Sequence, residues 1–152
     1  MPAEQAVHLS LLDRLVDGES RRQNLALLRQ ALRRDLENLL NARRSWLPLG
    51  KQYPELAKST LGYGLPDFTV MEMSTEDGRR WLCEEVQETI GRFEPRLAQV
   101  QVSLRDKDAP LDRVLRLRID AVLLAAPVPT PVSFDSELEP LNLSVTLQDN
   151  ER

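Results

Sequence analysis

Between about Ser20 and Arg44, apolar residues recur every three or four positions: Leu25, Leu28, Leu32, Leu36, Leu39 and Leu40 fall on one stripe. That period predicts an α-helix with one buried face. The opposite face is rich in arginine (Arg21, Arg22, Arg29, Arg33, Arg34, Arg43, Arg44), relieved only by Asp35 and Glu37. A shorter run from Val7 to Val16 sets Leu9, Leu12, Leu15 and Val16 at the same spacing, with Asp13 and Arg14 opposite and Asp17-Gly18 as a stop. It predicts a short amphipathic helix whose leucines, if uncovered, form the kind of apolar patch that meets a partner.

The period disappears from Ser45 to Ser74, where Pro48, Gly50, Pro54, Gly62, Gly64 and Pro66 mark a long loop with one helical turn near Glu55 to Ser59. The loop carries Trp46, Tyr53, Leu56, Leu61, Tyr63, Leu65 and Phe68, which implies that it packs on its own side chains. Ser74 or Thr75 then caps a second helix, with Glu76 and Asp77 in the first turn where the helix dipole favours acids. Leu82, Val86, Ile90 and Phe93 form its buried stripe, and Pro95 ends it because the residue before a proline is pushed out of helical geometry.

Beyond Pro95 the period shortens to two. Ala98, Val100, Val102 and Leu104 alternate with Gln99, Gln101, Ser103 and Arg105. After a turn at Asp106 to Pro110, Leu115, Leu117, Ile119, Ala121 and Leu123 alternate with Arg116, Arg118, Asp120 and Val122, the partner strand of a hairpin. The Pro127 to Pro131 segment breaks that strand, and Leu141, Leu143, Val145 and Leu147 supply a third alternating run. Helices first and antiparallel strands last define an α+β fold: N-terminal helices, a long packed loop between the two main helices, and a small antiparallel sheet. The 152 residues divide into an N-terminal docking segment, residues 1–18, and one α+β domain, residues 19–152.

Composition narrows the function classes. A net charge of −4 argues against coating nucleic acid or an anionic membrane. The arginine stripe lacks interleaved aromatics and reads as a solvated or partner-facing helix side. Cys83, the single cysteine, excludes an intramolecular disulfide and suits a reducing compartment. The N-terminus has no basic start followed by an apolar run, and no apolar stretch approaches a membrane span, so a cytoplasmic location is expected.

Catalytic readings each lack a component. His8 is the lone histidine, which leaves no Ser-His-Asp or Cys-His set, and Cys83 sits mid-helix as an inert thiol. No glycine pattern cradles phosphate, no acid and histidine spacing suits a metal, and no cofactor is implied. A glycoside hydrolase needs only two carboxylates about a cleft; Glu84, Glu85 and Glu88 lie on a solvated helix face, and Glu94 stands beside Arg96.

Five blocks in order carry a family resemblance: Ser10-Leu11-Leu12-Asp13-Arg14-Leu15, Arg34 through Arg44, Tyr63-Gly64-Leu65-Pro66-Asp67-Phe68, Phe93-Glu94-Pro95-Arg96-Leu97 and Val132-Ser133-Phe134-Asp135-Ser136. Together they resemble the TssE family of type VI secretion baseplate subunits, relatives of the contractile-phage wedge protein once labelled lysozyme-like. Ala42, where threonine is commoner, is a small departure. The resemblance implies a non-enzymatic structural subunit of the baseplate wedge, placed with TssF, TssG and TssK near the spike and under the sheath of TssB and TssC. Nucleic acid and membrane insertion have no part in it. A lysozyme-like glycoside hydrolase is the alternative.

The resemblance gives Glu94, Pro95 and Arg96 a docking role, and Leu12, Arg14 and Leu15 are candidate partner contacts in the N-terminal segment. On this reading proline holds an acid-base pair towards a partner in charge-assisted contacts, and charge reversal at Arg96 is expected to spare the fold. The bland reading is a helix stop with a local surface ion pair of about 0 to 1 kcal/mol. An exposed edge at the Leu141 to Leu147 strand or its neighbour is a second candidate contact, since a free edge accepts a strand from another chain.

Overall fold

The computed structural model describes residues 25–45, 52–68, 72–105, 114–124, 128–139 and 144–150. The expected helix over Val7 to Val16, with Leu12, Arg14 and Leu15, lies outside the described residues.

Helix α1 spans Leu25–Asn41 and buries Leu28, Leu32, Leu36, Leu39 and Leu40, the stripe its period predicts. It stops at Asn41 rather than running to Arg44, because the next residues pair with the loop. Ala42 O accepts from Leu65 N at 3.0 Å, and Arg44 N donates to Leu65 O at 2.9 Å. Gly64 makes that approach possible. Its φ is +97°, and a Cβ there would stand 2.3 Å from Ala42 O. Within the loop, α2 (Pro54–Ala57) and a 3₁₀ turn (Thr60–Gly62) precede the pairing. Leu65 and Phe68 enter the core while Tyr53, Leu56, Leu61 and Tyr63 remain exposed, so the expected self-packing holds for only part of the loop.

Helix α3 spans Glu76–Phe93, and Thr75 is its cap, accepting from Gly78 N at 3.1 Å. Leu82, Val86 and Ile90 are buried as expected, whereas Cys83 is only half-buried.

The sheet has four antiparallel strands in chain order: β1 (Leu97–Leu104), β2 (Leu115–Leu123), β3 (Thr130–Glu139) and β4 (Ser144–Asp149). Helix α3 packs on β1 and α1 on β4. The core lies between helices and sheet, with Phe68, Ile119, Phe134, Leu138 and Leu147 at its centre.

Two expectations for the sheet need correction. Ala98 was placed on the buried face with Val102 and Leu104, but it pairs with Val122 on the other face, while Leu97 pairs with buried Leu123. A bulge between Ala98 and Gln101 inserts one residue, with Gln99 at φ 52°. Period-two alternation then resumes one position later, so Leu97 and Val102 share a face despite their odd separation. The other correction is β3, a strand absent from the expected set. Pro131 stands near its start, where a missing N–H costs little, and Val132, Phe134, Ser136 and Leu138 then point inward.

Strand β4 ends the sheet, as an edge strand should, but its outer backbone is already occupied along Val145 to Leu147. Asn41 Oδ1 accepts from Val145 N and Asn41 Nδ2 donates to Val145 O, both at 2.9 Å. Glu37 Oε1 accepts from Leu147 N at 2.8 Å, and Arg33 Nη1 donates to Leu147 O at 3.4 Å. Polar residues of α1 thus stand where a neighbouring strand would lie. The free-edge expectation fails over these residues. At the opposite edge, Gln87 Oε1 accepts from Val102 N at 3.2 Å.

Candidate docking site

The junction between α3 and β1 is fixed from both sides. Glu94 N donates to Ile90 O at 2.8 Å, the last bond of the helix, and Glu94 O accepts from Leu97 N at 3.1 Å. Pro95 between them can neither donate nor adopt a strand conformation far from its fixed φ. Leu124 N donates to Arg96 O at 2.8 Å, which carries the pairing of β1 with β2 past the first strand residue.

Side chains complete the arrangement. Arg96 Nε donates to Glu94 Oε1 at 2.7 Å and Nη2 to Glu94 Oε2 at 2.6 Å, a two-pronged pair. The Arg96 amide also donates to Glu94 Oε1 at 3.2 Å. Nη2 further donates to Asp35 Oδ2 of α1 at 2.7 Å, across 61 positions of sequence. One guanidinium therefore ties α1 to the junction. Donation to Glu94 is the main reason Arg96 holds its proton more firmly than in water; burial opposes it, and donation to Asp35 together with the charges of both acids adds to the hold.

A cleft of about 370 Å³ opens over this group, lined by Asp35, Leu39, Tyr63, Phe93, Glu94, Pro95 and Arg96. The Tyr63 and Phe93 rings meet edge to face with centroids 5.3 Å apart. Tyr63 is 36% exposed. Its hydroxyl pKa is raised above the ordinary 10.0, first by burial and then by the charges of Asp35 and Glu94.

Glu94, Pro95 and Arg96 thus lie together, but not as a pair pointed outward. Glu94 is 6% exposed and held by Arg96 through both oxygens. The Arg96 and Asp35 side chains keep 26% and 31% of their surface. This is neither a free acid-base pair nor a surface ion pair of negligible weight. Asp35, Leu39 and Tyr63 were not among the expected site residues. Asp35 carried a signal, as an acid set among arginines on the helix face; Tyr63 belonged to one of the quoted blocks but nothing joined it to the junction.

The other residues singled out in the sequence are engaged elsewhere. Glu85 is half-buried and accepts from Arg44 at 2.9 Å, so it does not stand on a solvated face; Glu88 pairs with Arg92. Arg43 sits over the Phe68 ring at 5.4 Å, and Arg29 is 3.6 Å from Asp149. Much of the arginine stripe therefore fastens α1 to its surroundings instead of facing solvent. Burial, then the charge of Glu84, raises the Cys83 thiol pKa, opposite to the shift a nucleophile requires. Asp135, from the last quoted block, accepts from Arg105 at 2.7 Å, Asn150 at 2.9 Å and Arg118 at 3.4 Å, which joins β3 to β2 and to the residues that follow β1 and β4.

The cleft is thus a concave, partly charged surface on a braced α+β frame. The chain belongs to the family of the baseplate wedge protein gp25, whose family model matches residues 26–128. That family includes TssE of type VI secretion, and its role in the baseplate is structural. The matched stretch contains every residue of the cleft. No curated protein matches the chain significantly.

Proposed function

We propose that the chain is a non-enzymatic, cytoplasmic subunit of a type VI secretion baseplate wedge, and that the cleft at the α3 to β1 junction is its docking surface for the wedge subunits TssF, TssG and TssK. Beside the spike, it helps to start the sheath of TssB and TssC. Residues 19–152 act as the wedge domain and residues 1–18, with Leu12, Arg14 and Leu15, as an additional docking segment. The observation that carries this reading is the Arg96 clamp. Bonds to Glu94 and Asp35 hold the cleft in one shape before any partner arrives, and a preformed surface loses little freedom on association. The hydrolase alternative gains nothing from Glu94, whose two oxygens both accept from Arg96, an arrangement suited to neither proton donation nor attack on a sugar.

Tyr63→Arg tests the docking role with Asp35, Glu94 and Arg96 all retained, because Tyr63 is part-exposed at the cleft and a longer side chain there occludes the opening. Loss of the ring contact with Phe93 costs about 0.5–1.5 kcal/mol, so the variant stays folded. In co-expression with TssF, TssG and TssK, its recovery with the wedge subunits is expected to fall at least roughly tenfold, equivalent to about 1.4 kcal/mol. Undiminished recovery of a folded Tyr63→Arg protein rules this docking surface out.

A further inference from the structure

Strand β4 ends the sheet, yet over Ser144 to Gln148 it carries none of the charges with which edge strands discourage pairing with another chain. Val145 and Thr146 are residues well suited to a strand. The protection comes from α1 instead. Arg29, Arg33, Glu37 and Asn41 recur every fourth residue and form one row along the helix. The row follows β4: Arg29 stands 3.6 Å from Asp149, Arg33 and Glu37 bond Leu147, and Asn41 bonds Val145. The N–H and C=O of both Val145 and Leu147, turned away from β3, are all taken by this row.

Without that cover the edge would match itself. Two copies related by a two-fold axis at Thr146 set Val145 of one opposite Leu147 of the other, and every backbone group that α1 now holds finds a partner. Ser144 then faces Gln148 and Thr146 faces its own copy, so no like charges meet. We infer that the α1 row is a surrogate strand that keeps β4 from pairing with β4 of a second copy of this chain. Asp35 and Leu39 of the cleft lie on a different row of the same helix. One helix thus shapes the cleft on one side and closes the sheet on another.

Sedimentation of the full chain carrying both Glu37→Ala and Asn41→Ala, beside the parent, tests this. The parent is expected to stay monomeric and the variant to form dimers with Kd below about 1 mM. Amide exchange at Val145 should be faster in the dilute variant than in the parent, then slow as dimers form, while Ile119 stays protected throughout. Adding Thr146→Lys at this exposed position sets two like charges face to face on the axis and is expected to restore the monomer. A folded variant that remains monomeric at about 1 mM, a variant dimer that Thr146→Lys leaves intact, or a parent dimer that Thr146→Lys dissolves would each overturn the inference. Should the double variant fail to fold, Asn41→Ala alone frees both backbone groups of Val145 and is held to the same outcomes.

Discussion

Arg96 donates to a buried carboxylate and to a helix that lies far away in sequence, so a change at this residue is felt by the fold before any partner. The sequence alone gave grounds to expect that charge reversal would spare the isolated protein. The structure argues otherwise: Arg96→Glu would leave buried Glu94 unpaired and set a third carboxylate beside it and Asp35. Breaking a buried pair costs about 3–5 kcal/mol; since the guanidinium is partly exposed, a loss of about 2–3 kcal/mol is expected, read as a lower urea midpoint. Arg96→Lys keeps the charge but loses the fork, and its midpoint should fall between the two. A midpoint for Arg96→Glu equal to that of the parent would mean that the clamp contributes nothing to stability. For this reason Tyr63, rather than Arg96, is the residue through which docking is best tested.

At the scale of elements, the unusual feature is the way α1 covers β4. Asn41 replaces the outer neighbour of Val145 by bonding both its N–H and its C=O, and Glu37 and Arg33 do the same for Leu147. Asn41→Leu removes two of these bonds at a site water can reach, so a loss of about 1 kcal/mol is expected. The clearer readout is local: amide exchange at Val145 should quicken while that of Ile119 in β2 is unchanged. Equal quickening of both would show that Asn41 supports the whole sheet rather than its edge. The helices were legible because their leucines repeat over several turns, and β1 and β2 because their alternation is clean. Strand β3 was hidden by Pro131 and by Ser136, a buried polar residue at a position alternation reserves for apolar ones. The bulge in β1 had no marker, since Gln99 is not a residue type that signals a positive φ.

For the molecule as a whole, sequence located half of the site. Pro95 punctuates the helix and fixes the neighbourhood of Glu94 and Arg96, which any local reading can find. Asp35 and Tyr63 join them only after α1 and the loop have packed against the junction, with Gly64 permitting the loop to approach Ala42. Periodicity describes one element at a time and cannot place α1 beside a turn that follows another helix. Family membership supplies the structural baseplate role, while the folded chain supplies the shape and charge of the surface. On the docking role proposed for it, this cleft is expected to face another wedge subunit in the assembled baseplate. A photo-crosslinking amino acid in place of Tyr63, irradiated in assembled baseplates, tests it most directly. One dominant crosslinked product joining this chain to another wedge subunit is expected; assembled baseplates that yield no crosslink from position 63 would contradict the docking role of the cleft.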